Sequence, residues 1–381
     1  MKKFTLTIDN LLEMARKKAR LDDFGDDEFH LPLSKLVESF EKQHGSGDDG
    51  KAFSFAYILS ELLSRRLYIE DNFKSYPQVL DIPVMRPLFI TGLPRTGTTL
   101  MHNLCSQGQC WRVLKYWELL YPYYIPGLGD KNKDYFLRLT NQLIKGLYAR
   151  YPELISRHET KAEGPEECVH LLRTTFYSNS FAAEWDLYDY LKWYSEQDLT
   201  GAYGYYKKLM QLLLWREPGQ HLLLKCPAHL FAVDIILKVF PDASVIWMHR
   251  DPCKSIASVL SLYSVFREEE TRYNDFIDLY LDYFKKSLQN AMRAADGAGG
   301  QVRSLSYKKL VKDQVGVTRE VYEALGYPYD GGIEQKISGW LNHNPQHKHG
   351  VHKYGLEDFG LTAADIKSRF SEYYDAYGHL L

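Results

Sequence analysis

Apolar residues follow two rhythms along this chain. Short, nearly continuous runs, FLIT-like in composition, occur at LFIT (88–91), HLLLK (221–225) and SVIWMHR (244–250). Bounded by Pro, Gly or charged residues, they read as strands buried on both faces. A helix from Thr98 follows the first at once, HLFAVDIILKVF follows the second, and the third enters DPCKSIASVLSL. Strand, helix, strand, helix from residue 221 is the signature of parallel crossover units. A further short strand, VRSLSY (302–307), leads into the helical KKLVKDQVGVTREVYEALGY. Upstream, residues 1–30 read as a polar helical arm. LPLSKLVESFEKQH and FSFAYILSELLSRRLYIEDNFKSY read as helices on either side of the loop GSGDDG. Residues 117–165, rich in Tyr, Pro and Gly, read as an irregular aromatic excursion. Helical periodicity resumes in GPEECVHLLRTTFY and YGYYKKLMQLLLWRE, and a last amphipathic helix follows the loop 344–352. The pattern predicts an α/β domain over 81–381 with a helical, aromatic-rich insertion at about 117–215. A helical N-terminal extension, 1–80, packs on that core.

Composition narrows this picture only slightly. The 381 residues carry a formal charge of −2, so no overall basic footprint exists for nucleic acid, and any anion site is local. The five cysteines form no C-x-x-C pair and no zinc spacing, which suits a reducing compartment and predicts no metal site. The N-terminus lacks the apolar core of a signal peptide, and no run approaches the ~18 apolar residues of a spanning helix. The expectation is a cytoplasmic protein without a transmembrane segment. A homodimer is left open.

The chemistry is concentrated in two turns. Gly92-Leu93-Pro94-Arg95-Thr96-Gly97-Thr98-Thr99 has the spacing of the phosphate loop G-x-x-x-x-G-K-[ST], between a strand and a helix. Such a turn aims backbone N–H groups and a positive helix end at an anion, and the sheet it opens is P-loop-like. Thr98 replaces the lysine, however, and Arg95 supplies a cation three residues earlier. A nucleoside triphosphatase also needs an acidic residue ending a neighbouring strand. Here SVIWMHRDP ends in His249-Arg250, which favours direct anion contact over a metal. The second turn, HRDPCKSIASVLSL, places Arg250 at a helix start, with Ser255 and Ser258 about one turn apart, a fitting grip for a second phosphate. H-R-D also resembles the protein-kinase catalytic loop, but Ile256 stands where that pattern needs Asn, and no D-F-G follows.

Two phosphate grips on parallel strands imply a nucleotide phosphorylated at two places. LPRTGTTL, Lys225-Cys226-Pro227, FPDASVIWMHRDPCKSIAS and SYKKLVKD…YEALGYP together resemble the sulfotransferase family. The loop is most similar to a bacterial branch that shares R-[ST]-G-T-T with tyrosylprotein sulfotransferases. The resemblance implies 3′-phosphoadenosine 5′-phosphosulfate (PAPS) as co-substrate, released as 3′,5′-adenosine bisphosphate, with no obligatory metal. It assigns Arg95, Thr96, Gly97, Thr98 and Thr99 to the 5′-phosphosulfate, and Arg250 and Ser258 to the 3′-phosphate. Tyr307 would lie near the adenine, and Lys348 or His349 would complete the 3′-phosphate site. Lys308 and Lys309 stand where the family has acids.

For sulfonate transfer, the resemblance implies that Lys225 assists the leaving group, with Arg95 sharing the role. Two residues compete as the base that takes the acceptor proton. Glu118, beside Tyr116 and Trp117, sits where the tyrosylprotein branch places its glutamate; His158 matches the histidine used elsewhere in the family. His102 reads as packing, and Glu166 and Glu167 read as first-turn acids of a helix after Pro165. The aromatic stretches 121–127, 176–196 and 202–208 suggest a largely apolar pocket for a small or lipid-like acceptor. A P-loop kinase or other phosphotransferase, and an inactive nucleotide-binding module of the same fold, are the competing readings.

Overall fold

β1 (Leu88–Gly92) is the centre of a five-stranded sheet because every one of its residues is buried, on both faces and both edges. The sheet comprises β1, β2 (Trp111–Val113), β3 (His221–Lys225), β4 (Ser244–His249) and β5 (Val302–Ser306), in the order β2-β3-β1-β4-β5. Every pairing is parallel. Leu88 faces Leu223 on one side and Ser244 on the other, and Gly92 faces Met248. The carboxyl ends of β1, β3 and β4 are therefore aligned. The chain leaves β1 for one side of the sheet and returns to the other, the switch point at which such sheets bind ligands. The structure is a computed structural model and describes residues 5–45, 49–125, 128–129, 131–217, 221–266, 273–344 and 354–381.

The described chain divides into two compact units. The sheet unit comprises Met85–Tyr116, Asn141–Glu167 and Gln220–Leu381. One of its core clusters joins Leu88, Ile90, Leu223, Ile246 and Met248 of the sheet to Met101 and Leu104 and to Val317 and Val321 of helix Gln314–Leu325. Tyr322 in this cluster donates to the Cys105 carbonyl at 2.6 Å and accepts from Trp111 Nε1 at 2.5 Å.

The helical unit comprises Met1–Val84, Trp117–Thr140 and Cys168–Gly219. Helix Ile8–Ala19 packs along helix Asp49–Ser75, and its buried Leu11, Leu12, Ala15 and Ala19 make it amphipathic rather than a polar arm. Arg66 is buried between the rings of Phe29 and Tyr205 and donates to Phe24 O at 2.6 Å and to Asp26 Oδ1 at 2.8 Å. Much of the aromatic density packs within this unit. Tyr68 stacks on Tyr123, Tyr121 on Phe136 and Phe40 on Phe55, while Tyr190, Tyr203 and Tyr206 are buried.

The stretch 117–165 departs most from its sequence reading. It contains the 20-residue helix Lys131–Arg150, flanked by Tyr116–Leu120 and Leu154–Arg157. The Pro- and Gly-rich cluster before it masks an apolar period carried by Phe136, Thr140, Leu143 and Leu147. β2, with three residues, carries no sequence signal of its own; the 25-residue helix Tyr273–Gly297 does, in the apolar period Phe276, Tyr280, Phe284 and Leu288, which the sequence reading leaves unassigned. Among the described residues no helix is long and apolar enough to cross a membrane.

Candidate active site

The loop after β1 has a backbone that only its own sequence permits. Gly92 has φ +152°, and a Cβ there would meet the Met248 carbonyl at 2.5 Å. Gly97, φ +91°, caps helix Thr98–Cys105, and a Cβ would lie 2.6 Å from the Tyr307 ring. Bare backbone is thus required at both ends of the turn. Between them Arg95 takes φ +68°, a strained conformation for a side chain of its size. The Thr96 hydroxyl closes the turn by donating to the Leu93 carbonyl at 2.7 Å. Thr98 is buried and Thr99 exposed, and the hydroxyl of neither has a protein partner among the described residues.

The β1–β4 pairing brings the second turn against this loop. Arg250 donates to the Arg95 carbonyl at 2.6 Å, and its guanidinium lies 4.4 Å above the Tyr307 ring. Arg95 Nε donates to Ser258 Oγ at 3.1 Å, and Arg95 NH1 to the Arg157 carbonyl at 3.1 Å. Tyr354 OH donates to Ser258 Oγ at 2.7 Å. Ser255, on the same helix (Pro252–Tyr263), has a buried hydroxyl with no partner among the described residues. Neither guanidinium forms an ion pair with a carboxylate among the described residues. Burial pulls the Arg95 guanidinium below its usual pKa, and Arg250 beside it acts in the same direction. Two adjacent cations without a counter-carboxylate among the described residues are suited to holding an anion.

Lys225 ends β3 almost fully buried, its Nζ donating to Glu167 Oε1 at 2.9 Å. Burial works against its charge, but Glu167 and Glu166 outweigh it and raise its pKa. His158 Nε2 lies 3.2 Å from both carboxylate oxygens of Glu166, whose charge is the main cause of its raised pKa. Glu166 also accepts from Thr160 Oγ1 at 3.2 Å and from the Glu167 backbone N–H at 2.8 Å. The two acids therefore do not serve as first-turn helix acids. They lie in backbone without regular structure before the short helix Val169–Leu172, and their carboxylates reach Lys225 and His158.

Of the residues marked in the sequence, Arg95, Thr96, Gly97, Thr98, Thr99, Lys225, Arg250, Ser258, Tyr307 and His158 belong to this one unit. Glu118 is buried on helix Tyr116–Leu120 and belongs to the helical unit. Lys348 and His349 lie outside the described residues. His102 is buried, its Nε2 has no partner among the described residues, and burial pushes its pKa down to about 3, as its packing role requires. Sequence reasoning missed Glu166, Glu167, Arg157 and Tyr354. A signal for the first three exists in the dense charges of SRHETKAEGPEE around one histidine. Tyr354 has none, being one aromatic in a polar stretch.

The chain matches the sulfotransferase family over residues 87–331. The omega-hydroxy-beta-dihydromenaquinone-9 sulfotransferases Stf3 of Mycobacterium bovis and Mycobacterium tuberculosis are each 23% identical to it. Those alignments cover 77% of this chain and 75% of each relative. The crystal structure of sulfotransferase STF1 from M. tuberculosis H37Rv superposes with a TM-score of 0.84 at 27% identity, covering 97% of this chain and 100% of that one. STF9 from Mycobacterium avium gives 0.83 at 26% identity, covering 99% and 97%. A parallel sheet whose β1 and β4 ends interlock around two arginines that make no carboxylate ion pair among the described residues, with a buried lysine ending β3, thus occurs in a chain that belongs to the sulfotransferase family.

Proposed function

We propose that this sulfotransferase takes its sulfonate from PAPS and transfers it, without a metal, to the hydroxyl of a lipid-like acceptor. One observation carries the donor assignment: Arg95 and Arg250 stand together at the β1 and β4 ends with no carboxylate ion pair among the described residues. The donor set fits a doubly phosphorylated nucleotide. Loop N–H groups and the Thr98 and Thr99 hydroxyls suit the 5′ end, and Arg250 with Ser258 suits the 3′-phosphate. Tyr307, under Arg250, offers a ring edge for the base, and Lys348 remains the proposed further contact. Cations, rather than a cluster of acids, stand where negative charge must be met.

When bound, PAPS supplies a sulfonate on a phosphate leaving group. Lys225, kept protonated by Glu167, donates to the oxygen on which charge collects, and Arg95 adds a second donor. His158 is the base that the geometry favours. Glu166 holds Nε2 and stabilises the imidazolium, while the other ring nitrogen, without a partner among the described residues, takes the acceptor proton. Glu118 is the alternative base, on its sequence position beside Trp117. The acceptor class is supported by the Stf3 relatives, named for a menaquinone carrying an omega-hydroxyl.

Thermal denaturation with 3′,5′-adenosine bisphosphate, set against ATP with Mg²⁺, tests the donor. A ligand confined to the folded state adds about 2.7 kcal/mol at a hundredfold excess over Kd. The bisphosphate is expected to raise Tm by several degrees, and Arg250→Ala to abolish that rise. Stabilisation by ATP·Mg²⁺ alone overturns the assignment in favour of a phosphotransferase. Bisphosphate binding with no transfer to any hydroxylated lipid marks an inactive module.

A further inference from the structure

Helix Lys131–Arg150 changes character along its length. Phe136 and Thr140 are buried, yet one turn later the same face is open: Leu143 is 46% exposed and Leu147 partly exposed. The spacing 136, 140, 143, 147 keeps these side chains on one stripe. Ile155, on the next helix Leu154–Arg157, is 40% exposed. Single exposed leucines are ordinary. Here Leu143 and Ile155 are exposed on consecutive helices, with the half-buried Leu147 between them in sequence.

Along this stretch of the chain the charge is one-sided. Residues 131–157 carry Lys131, Lys133, Arg138, Lys145, Arg150 and Arg157 against only Asp134 and Glu153, a net +4 in a chain of −2. Glu153 is engaged by Arg157 at 2.5 Å, and neither Lys145 nor Arg150 has an acidic partner among the described residues. An apolar stripe on a Lys/Arg-rich helix is the composition of helices that lie in a lipid interface. A protein partner would have to match the same excess with acids; an anionic bilayer supplies both the charge and the apolar depth. The element is also joined to the catalytic segment. Tyr148 OH accepts from the Thr160 N–H at 2.7 Å, and Thr160 bonds Glu166.

We propose that the exposed apolar positions Leu143, Leu147 and Ile155, with Arg150 beside the helical stripe, dock on the surface of an anionic lipid bilayer. The use of this docking, presenting a lipid-like acceptor near His158, rests on the acceptor reading above; the docking itself does not.

The test is co-sedimentation of the full chain with vesicles of phosphatidylcholine alone and of phosphatidylcholine mixed with phosphatidylglycerol. Binding is expected only to the anionic vesicles, falling steeply as salt rises from about 50 mM to about 500 mM. Arg150→Glu is expected to weaken it at least fivefold, since each basic residue at the surface contributes roughly fivefold. Leu143→Asp with Leu147→Asp is expected to abolish it. Both variants should keep the wild-type Tm and bisphosphate shift. No binding to anionic vesicles at low salt overturns the proposal, as does wild-type binding by both variants. A dimer in vesicle-free buffer that Leu143→Asp dissociates also overturns it, making the face an interface between copies. If vesicles bind but no lipid alcohol is sulfated, the docking stands and only the acceptor reading falls.

Discussion

The Arg95 side chain donates to Ser258 and to the Arg157 carbonyl, while its own carbonyl takes the Arg250 bond, so its removal tests ligand grip and fold separately. Its φ of +68° costs a non-glycine residue roughly 1 kcal/mol, and its charge is buried beside another arginine. Arg95→Gly relieves both. The expected outcome is an unliganded Tm at or above wild type, with bisphosphate affinity lowered at least tenfold by loss of a charge-assisted donor. A drop in Tm with binding retained would remove Arg95 from the site. The base is testable in the same way. His158→Ala should lower kcat about 100-fold or more. Glu166 raises the His158 pKa, and a base works only when neutral. Glu166→Gln should therefore extend the acid limb of kcat/KM to lower pH, while Glu118→Gln leaves that limb in place. If Glu118→Gln removes the limb and His158→Ala does not, the glutamate is the base.

At the scale of elements, the strand ends are held by histidines that must stay neutral. His102 follows the phosphate loop, His229 follows β3, and His249 ends β4, with Nδ1 2.8 Å from Tyr373 OH and its ring stacked on Tyr377. Burial is the first cause in each case and pushes each pKa down from 6.5 to about 3. Their folded pKa lies below the unfolded value, so their stabilisation is whole above pH 6.5 and is lost as pH falls towards 3. Each such histidine costs about 1.4 kcal/mol per pH unit within that window. Tm should fall steeply between about pH 6 and pH 4, and His249→Gln should flatten the slope; an unchanged slope would exclude His249 as a contributor. The strands behind these histidines were legible because strands covered on both faces read as unbroken apolar runs, as LFIT and HLLLK do. β2, with three residues, is too short for any period to register. The phosphate loop was legible because its backbone demands glycine at two fixed positions. Glu166 and Glu167 were not, because Pro165 followed by acids is also how a helix begins, and only the folded chain brings Lys225 and His158 to them.

For the whole molecule, the chain passes between the two units at residues 84/85, 116/117, 140/141, 167/168 and 219/220, so neither unit is a continuous segment. The first 84 residues are therefore no detachable extension of the helical unit. Phe29 faces Phe176 at 6.1 Å, Ser39 Oγ accepts from the Tyr190 N–H at 3.2 Å, and Phe55 lies 5.1 Å from Trp185. Asn72 exchanges hydrogen bonds of 2.9 and 2.7 Å with Tyr124. Removing residues 1–84 would bare these partners and leave the buried Tyr190 and Asn72-bound backbone without cover, a loss far above the 5–15 kcal/mol that holds a typical domain. A chain beginning at Met85 retains every described residue of the sheet unit, including Arg95, Lys225 and Arg250, yet it also retains segments 117–140 and 168–219 stripped of their core. It is expected to aggregate, or to bind a hydrophobic dye with little near-ultraviolet circular dichroism, and to show no bisphosphate shift. A soluble truncated monomer that still gains several degrees with 3′,5′-adenosine bisphosphate would show instead that the sheet unit folds and grips its nucleotide independently of the first 84 residues.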